Sequence, residues 1–184
     1  MKPVTRDEIV DYQTYNDQRE QSRPKVLAAK ELRRVVVADT FLFLFENRDT
    51  VRYQVQEMMR AERIVREADI QHELDTYNEL LGAPGELGCT LLVTIDDPAQ
   101  RDVKLREWLD LNERLYLELE DGTKARPTFD PRQVGDDRLS SVQYLKFTTG
   151  PRAPVAVGVE LDAGGRVELS DAQRAALQAD LDTP

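Results

Sequence analysis

One stretch limits the possible folds of this chain more than any other, the run VVVADTFLFLFEN. In an extended backbone Phe41, Phe43 and Phe45 point to one side, while Leu42 and Leu44 point to the other. Both sides are apolar, and a strand with two apolar faces has to be covered on each of them. We therefore predict a central strand inside a layered fold.

The next segment has the periodicity of a long helix. At 100° per residue Val51, Val55, Met58 and Val65 form a single apolar stripe. A second stripe follows on DIQHELDTYNELLG and, on a continuous helix, is rotated by roughly 120° from the first. We therefore predict a long central helix, with a break or kink at residues 67–69 before the next helix begins.

The remaining segments alternate between helical and extended patterns. Helices are indicated by TRDE, by QSRPKVLAAKELRR, by DPAQRDVKLREWLDL and by SDAQRAALQADL. Strands are indicated by GCTLLVTI, by RLYLELEDGTKAR with its Asp-Gly turn, by VQYLKF and by PVAVGVELD. We predict an α+β fold, with a mixed or largely antiparallel sheet of about five to six strands, a long central helix and several shorter helices. A single domain over 1–184 is expected, helix-rich over 1–82 and strand-rich over 83–184.

Charge and apolar content exclude several classes of function. The formal net charge is −10, whereas nucleic-acid and anionic-membrane binding depend on clustered lysine and arginine. The sequence has no apolar run long enough to span a bilayer, and MKPVTRDEIV lacks the apolar region of a secretory signal. These features predict a cytoplasmic protein that binds neither nucleic acid nor membranes.

Glu62 interrupts the apolar stripe of the predicted central helix, because it projects between Val51 and Val55. A carboxylate in that position is either a desolvated group with a raised pKa, as general bases often are, or one half of an ion pair. Arg66 follows four residues later, in the orientation that favours pairing along a helix. We favour a structural ion pair between Glu62 and Arg66 and keep catalysis by Glu62 as the alternative.

Glu57 is a second weak catalytic candidate on the same helix. About 140° separates Glu57 from Glu62 on the helical projection, so the two carboxylates cannot share a proton or a metal ion on a straight helix. Arg60 follows Glu57 by three residues, and we expect an exposed salt bridge between them.

Metal and nucleophile chemistry has few candidate residues. His72 is the only histidine, and Asp69 lies three residues earlier, so both side chains could reach one ion. Di-iron bundles need histidines from more than one helix, so Asp69 and His72 are weak metal candidates and we expect no metal site. Cys89 is the only cysteine and lies in an apolar strand, which predicts a buried thiol. We expect no cofactor, since the chain also lacks a glycine-rich nucleotide-binding turn.

The absence of a complete catalytic set favours a non-catalytic accessory or interaction protein. In this hypothesis the charged side of the central helix is a docking face for a partner protein. The residues of this predicted docking face are Glu46, Arg48, Arg52, Gln56, Glu57, Arg60 and Arg63. The alternative is a small-molecule-binding protein or enzyme in which Glu57 or Glu62 is a base and arginines such as Arg60 hold an anionic substrate. Self-association as a homodimer, covering Met59 and Ile64, is compatible with both hypotheses.

Several runs resemble an uncharacterised bacterial family known as "domain of unknown function 3501". They are VTRDE, RRVVVADTFLFLFENRDTVRYQVQEMMRAERI, HELDTYNELL with ELGCTLLVTI, and VQYLKF. The resemblance implies no established activity. It implies an association with neighbouring genes for rubrerythrin-like proteins and for cysteine-rich iron–sulfur oxidoreductases. An accessory role beside such redox proteins is what this resemblance leads us to expect.

Overall fold

The protein is described here by a computed structural model that covers residues 1–183. Its helices are α1 (Tyr12–Glu31), α2 (Arg48–Glu62), α3 (Glu67–Asn78), α4 (Pro98–Glu107), α5 (Leu111–Arg114) and α6 (Asp171–Asp182). Its strands are β1 (Arg34–Val37), β2 (Phe41–Glu46), β3 (Glu86–Val93), β4 (Leu115–Glu118), β5 (Lys124–Ala125), β6 (Pro127–Thr128), β7 (Val142–Thr148), β8 (Ala156–Val159) and β9 (Gly165–Glu168). Two short 3-10 helices span Arg6–Glu8 and Pro131–Gln133.

The strands form two antiparallel sheets. The five-stranded sheet has the order β1-β2-β3-β7-β6, and the four-stranded sheet has the order β5-β4-β8-β9. The predicted α+β class is therefore confirmed, with the strands divided between two sheets. Within residues 1–183 no helix is both long enough and apolar enough to cross a membrane.

The segment predicted as one central strand forms two antiparallel strands, β1 and β2, joined by a tight turn. Ala38 and Asp39 have positive φ angles of 51° and 54°, and the Thr40 amide donates to the Val37 carbonyl at 3.2 Å. Consecutive positive φ angles are typical of the tight turns that join antiparallel strands, but glycine or asparagine usually marks them. Ala38 and Asp39 give no such signal, which is why the sequence pattern reads as one strand.

The main core fills the space between the inner faces of the two sheets. Phe41, Phe43 and Phe45 of β2 are each no more than 1% exposed, and the Trp108 ring packs against Phe41 with 5.2 Å between ring centroids. The prediction that the three phenylalanines share one face is confirmed. Leu177 of α6 belongs to the same core, so the C-terminal helix closes one side of it.

A second, smaller core lies among the helices. Val51, Val55 and Met59 of α2 pack with Ile70 and Leu74 of α3, together with Val4, Ile9 and Leu81. The predicted stripe is right for Val51 and Val55. It is wrong for Val65, which is 68% exposed because α2 has already ended at Glu62.

Helix-capping and turn-forming residues mark the ends of several elements as predicted, with one exception at Pro24. The Asp97 side chain caps α4 by accepting from the Gln100 amide at 2.7 Å, and Pro98 occupies the first turn as predicted. Gly122, with a φ of 81°, forms the turn between β4 and β5. Pro24 differs from expectation, because α1 begins at Tyr12 and encloses this proline.

Candidate functional site

The charged side of α2 is partly covered by the N-terminal segment. Gln56 is 5% exposed, and its amide group donates to the Val10 carbonyl at 3.0 Å and accepts from the Val10 amide at 2.9 Å. Arg48 donates to the carbonyls of Lys2 and Pro3, at 3.2 and 3.0 Å, and its guanidinium also pairs with Glu8. Gln56 is therefore buried and not on the surface where the sequence pattern placed it, and Arg48 is bonded within the fold.

Glu46 belongs to β2 and helps to start α2. Its carboxylate accepts a hydrogen bond from the Thr50 hydroxyl at 2.5 Å and another from the Thr90 hydroxyl at 2.9 Å. The Asn47 side chain caps the helix by accepting from the Thr50 amide at 3.0 Å. Both oxygens of Glu46 thus accept hydrogen bonds within the protein.

Glu57 joins α2 to α1. Its carboxylate accepts from the Tyr15 hydroxyl at 2.6 Å and from Arg19 Nε and Nη2 at 2.7 and 3.1 Å, whereas Arg60 approaches only to 3.4 Å. Burial raises the pKa of Glu57, but the hydrogen bonds from Arg19 and Tyr15 outweigh it and hold this pKa at about 2. The predicted salt bridge between Glu57 and Arg60 does form, at 3.4 Å, but it is only partly exposed and Arg19 is the nearer cation. A carboxylate with so low a pKa is also a poor general base.

The predicted ion pair between Glu62 and Arg66 does not form. Arg63 has a left-handed backbone, with φ 53° and ψ 45°, and its amide closes α2 by donating to the Met59 carbonyl. Arg66 has an extended backbone and precedes α3, so the two side chains are not one turn apart on a helix. Both are exposed, and neither takes part in any ion pair of residues 1–183.

Glu62 is therefore exposed, whereas the sequence pattern placed it within the apolar stripe that faces the core. The break between the helices lies at residues 63–66 and not at 67–69, because Arg63 ends α2 early. Met59 is fully buried, so it is not available to a homodimer interface, whereas Ile64 is only partly buried against the second core.

The residues considered for metal binding or nucleophilic chemistry are His72, Asp69 and Cys89. His72 and Asp69 are both exposed on α3. In the part of the chain that the structure describes, no three histidine, cysteine or acidic side chains are grouped to hold a metal ion. Cys89 is 1% exposed, and burial raises the pKa of its thiol, which suits a structural core residue.

Three arginines lie close together in sequence where α2 ends, and we call Arg60, Arg63 and Arg66 the arginine cluster. Most arginines of the protein pair with a carboxylate. Those of residues 1–183 that form no ion pair are Arg23, Arg34, Arg63, Arg66 and Arg101. Two of these five thus belong to the cluster, beside Arg60 with its long contact to Glu57.

A polar cleft adjoins the arginine cluster. Its volume is about 530 Å³, and its walls are Tyr12, Gln13, Asn16, Asp17, Arg60 and Arg63. The Nε atom of Arg60 is buried and has no hydrogen-bond partner within residues 1–183. Sequence patterns miss this cleft because the start of α1 and the end of α2 are more than forty residues apart, and only folding brings them together.

Comparison with known proteins agrees with the architecture. A crystal structure of a novel protein of unknown function from Burkholderia pseudomallei K96243 superimposes with a TM-score of 0.89. The two sequences are 28% identical, over 98% of this chain and 100% of that chain. A search of curated proteins gives no match.

A sequence model of a protein family also matches this chain. The model described as "Protein of unknown function (DUF3501)" matches residues 3–181. The match extends over both sheets and every helix from α1 to α5, and ends inside α6. The resemblance expected from the quoted runs is confirmed, and this chain belongs to the DUF3501 family of proteins of unknown function.

Proposed function

We propose that this protein is a non-catalytic accessory protein that binds an acidic surface of a partner protein through its arginine cluster. One observation carries the proposal. Arg63 and Arg66 lie exposed without a carboxylate partner in residues 1–183, in a chain where most arginines have one. The partner would supply those carboxylates.

The chemistry of arginine favours such a role. A guanidinium group presents a planar set of donors that matches a carboxylate bidentately, and arginine is enriched at protein interfaces. The chain as a whole carries −10, so a cationic surface on it is a local feature that orients an acidic partner during encounter. The electrostatic term should make binding weaken as salt concentration rises.

The docking face predicted from sequence is smaller in this proposal. Glu46, Gln56 and Glu57 are bonded within the fold, and Arg48 fastens the N-terminal segment. Arg52 is also paired, with Asp49 at 2.7 Å. What remains is Arg60 and Arg63, to which Arg66 is added because the break after α2 leaves its side chain exposed.

We further propose a cytoplasmic location and a redox enzyme as the partner. The motivation is the resemblance to a bacterial family whose genes lie near those of rubrerythrin-like proteins and iron–sulfur oxidoreductases. With a buried Cys89 and no metal-holding group among residues 1–183, such chemistry would reside in the partner. The accessory protein would contribute binding only.

The experiment is a direct binding measurement between purified proteins. The protein is immobilised, and a rubrerythrin-like protein and a cysteine-rich iron–sulfur oxidoreductase from the same organism are passed over the surface in turn. Charge reversal at Arg63→Glu with Arg66→Glu should weaken binding at least tenfold. The matched control is Arg23→Glu, which reverses another unpaired, exposed arginine on α1 and should leave binding unchanged.

Two results would contradict the proposal. Binding that survives the double reversal would exclude the arginine cluster as the docking surface. Failure of both redox proteins to bind would exclude the proposed class of partner.

A second candidate function is the binding of a small anion in the polar cleft. The buried and unpartnered Nε of Arg60, beside Arg63, is the observation that favours it. The low pKa of Glu57 argues against an acid–base enzyme at this cleft, so the version we keep is binding without reaction. Inorganic phosphate and citrate should then raise the melting temperature, and Arg60→Gln should abolish that rise. No rise with either anion would exclude this function.

A further inference from the structure

A cavity of about 610 Å³ opens between the end of α3, the 3-10 helix Pro131–Gln133 and β7, and we call it the tyrosine cavity. Its volume lies in the range of pockets that hold small molecules. It is separate from the polar cleft beside the arginine cluster, because the tyrosine cavity adjoins the last turn of α3, whereas Arg66 precedes the first turn. The proposed function does not use this cavity.

Hydrogen bonds hold two walls of the tyrosine cavity in place. The Gln133 side chain donates to the Tyr144 carbonyl at 2.9 Å and accepts from the Tyr144 amide at 2.8 Å, which ties the 3-10 helix to β7. Asn78 ends α3 and binds Val4 in the same way, at 2.8 and 2.9 Å. The cavity is therefore formed by the fold itself, as is usual for small-molecule sites.

Two aromatic rings line the tyrosine cavity. Tyr144 is 50% exposed on β7, and Tyr77 is half-buried in the last turn of α3. Burial raises the pKa of Tyr77, and Tyr144 contributes to this rise, so the two hydroxyl groups are near each other. Leu80 adds an apolar contact. Because aromatic pairs gain stability beyond the area they bury, this lining favours a ligand with an aromatic ring.

The charged side chains of the lining balance one another. They are Glu79, Asp130, Arg132 and Lys146. Asp130 accepts from Arg132 Nε at 2.9 Å, so these two neutralise each other. The pKa of Arg132 is raised mainly by Asp130 and also by Glu79, yet neither Glu79 nor Lys146 forms an ion pair within residues 1–183. Two acids against two cations favour a ligand without net charge.

A neighbouring acid does not occupy Lys146. Glu86 lies on the adjacent strand β3, where its carboxylate accepts from the Ala83 amide at 3.1 Å and from the Thr148 hydroxyl at 3.3 Å. Lys146 itself lies opposite Gly88 in the register of β3 and β7, two residues from Tyr144 on the same face. The ammonium group of Lys146 is thus available beside the Tyr144 ring.

We propose that the tyrosine cavity binds a small zwitterion with an aromatic ring, the chemical class of the free aromatic amino acids. The ring of the ligand packs against Tyr77 and Tyr144. The ammonium group of the ligand pairs with Glu79, and its carboxylate pairs with Lys146. A ligand with only one of these charges would leave one side chain without its partner and bind more weakly. The proposal holds whether or not the arginine cluster binds a protein.

Isothermal titration calorimetry of the full chain tests the proposal with L-phenylalanine as the probe. Three relatives each lack one feature of the probe: phenethylamine lacks the carboxylate, 3-phenylpropionate lacks the ammonium group, and L-leucine lacks the aromatic ring. L-phenylalanine should bind, and each relative should bind at least tenfold more weakly.

Charge variants assign each end of the ligand. Lys146→Ala should weaken binding of L-phenylalanine about tenfold and leave that of phenethylamine unchanged, because phenethylamine has no carboxylate. Glu79→Gln should weaken binding of L-phenylalanine about tenfold and leave that of 3-phenylpropionate unchanged, because that acid has no ammonium group. Tyr144→Ala should weaken all three aromatic ligands. The matched control is Lys25→Ala, which removes an exposed lysine of α1 and should change no affinity.

Circular dichroism confirms that each variant is folded, and Lys146→Gln replaces Lys146→Ala if the latter unfolds. Three results would overturn the proposal. They are no heat of binding with L-phenylalanine at millimolar concentration, equal binding of L-phenylalanine and its relatives, or affinities that the variants at Glu79, Tyr144 and Lys146 leave unchanged. The binding measurement with the redox proteins is a separate assay, so failure of either proposal leaves the other intact.

Discussion

Arg19 holds the carboxylate of Glu57 with two hydrogen bonds, of 2.7 and 3.1 Å, across the contact between α1 and α2. The side chains are 21% and 18% exposed, so the pair is shielded from most of the solvent. Glu57, which the sequence suggested as a catalytic base, is therefore a structural contact between α1 and α2. It also leaves Arg60 with only a 3.4 Å contact to Glu57, beside the polar cleft.

Glu57→Gln should lower the free energy of unfolding at pH 7 by about 2 kcal/mol, because the amide cannot balance the charge of Arg19. The folded-state pKa of Glu57 is lowered from 4.5 to about 2, so its stabilisation is present above pH 4.5 and is lost as pH falls towards 2. Urea unfolding at pH 7 and at pH 3 measures the difference between wild type and variant, which should shrink at pH 3. The control is Glu20→Gln, which changes the exposed acid that also contacts Arg19. An equal difference at both pH values would contradict the assignment.

Asp180→Ala should lower the free energy of unfolding by about 3–5 kcal/mol, because it leaves Arg33 buried without its counter-charge. Asp180 accepts from Arg33 at 2.7 and 2.9 Å and from the Asn47 side chain at 3.1 Å, so it ties α6 to the start of β1 and of α2. Denaturant unfolding measures the loss, with the exposed neighbour Asp182→Ala as control. The double variant Arg33→Met with Asp180→Leu should cost less than Asp180→Ala alone, and a simple sum of two single losses would refute a coupled pair.

Arg63→Gly should stabilise the protein by about 1 kcal/mol. Arg63 ends α2 in the left-handed conformation, which glycine adopts without the steric cost that a Cβ atom brings. Thermal unfolding should show an increase of about 2–4 °C for a chain of this length. Arg66→Gly, at an extended position, serves as control and should give no increase. A melting temperature unchanged by Arg63→Gly would mean that the left-handed turn carries no strain.

Gly88→Ala should destabilise the sheet by more than about 2 kcal/mol. A Cβ atom at Gly88 would lie within 1.7 Å of the Leu80 carbonyl oxygen, so the segment after α3 would have to leave the surface of β3. Gly165→Ala is the matched control in β9, where the added atom meets only Val37 at 3.8 Å. Denaturant unfolding compares the two, and equal stability of both variants would contradict the close approach of this segment to β3.

Local signals predicted those parts of the fold that short-range chemistry controls. Asp97 with Pro98 starts α4, and the alternating phenylalanines of β2 enter the main core. The division into two sheets could not be predicted, because it depends on pairing between strands distant in sequence. The turn at Ala38 and Asp39 was missed since it contains neither glycine nor asparagine, which usually mark consecutive positive φ angles.

The candidate site was predicted less well, for a related reason. The helical projection assumed that α2 continues to Arg66, whereas the left-handed Arg63 ends it and exposes Glu62. The true partner of Glu57, Arg19, lies 38 residues away and has no sequence signature. The arginines at the end of α2 were visible in the sequence, but their lack of acidic partners depends on the folded chain.

Hydrogen–deuterium exchange of the complex with the proposed redox partner tests the central claim most directly. Residues 60–66 are exposed or near the surface, and the segment between α2 and α3 should exchange quickly in the free protein. If the arginine cluster is the docking surface, the partner should slow exchange over residues 60–66 and over 12–17, which form the opposite wall of the cleft. Slowed exchange confined to other parts of the chain, with residues 60–66 unchanged, would contradict the account.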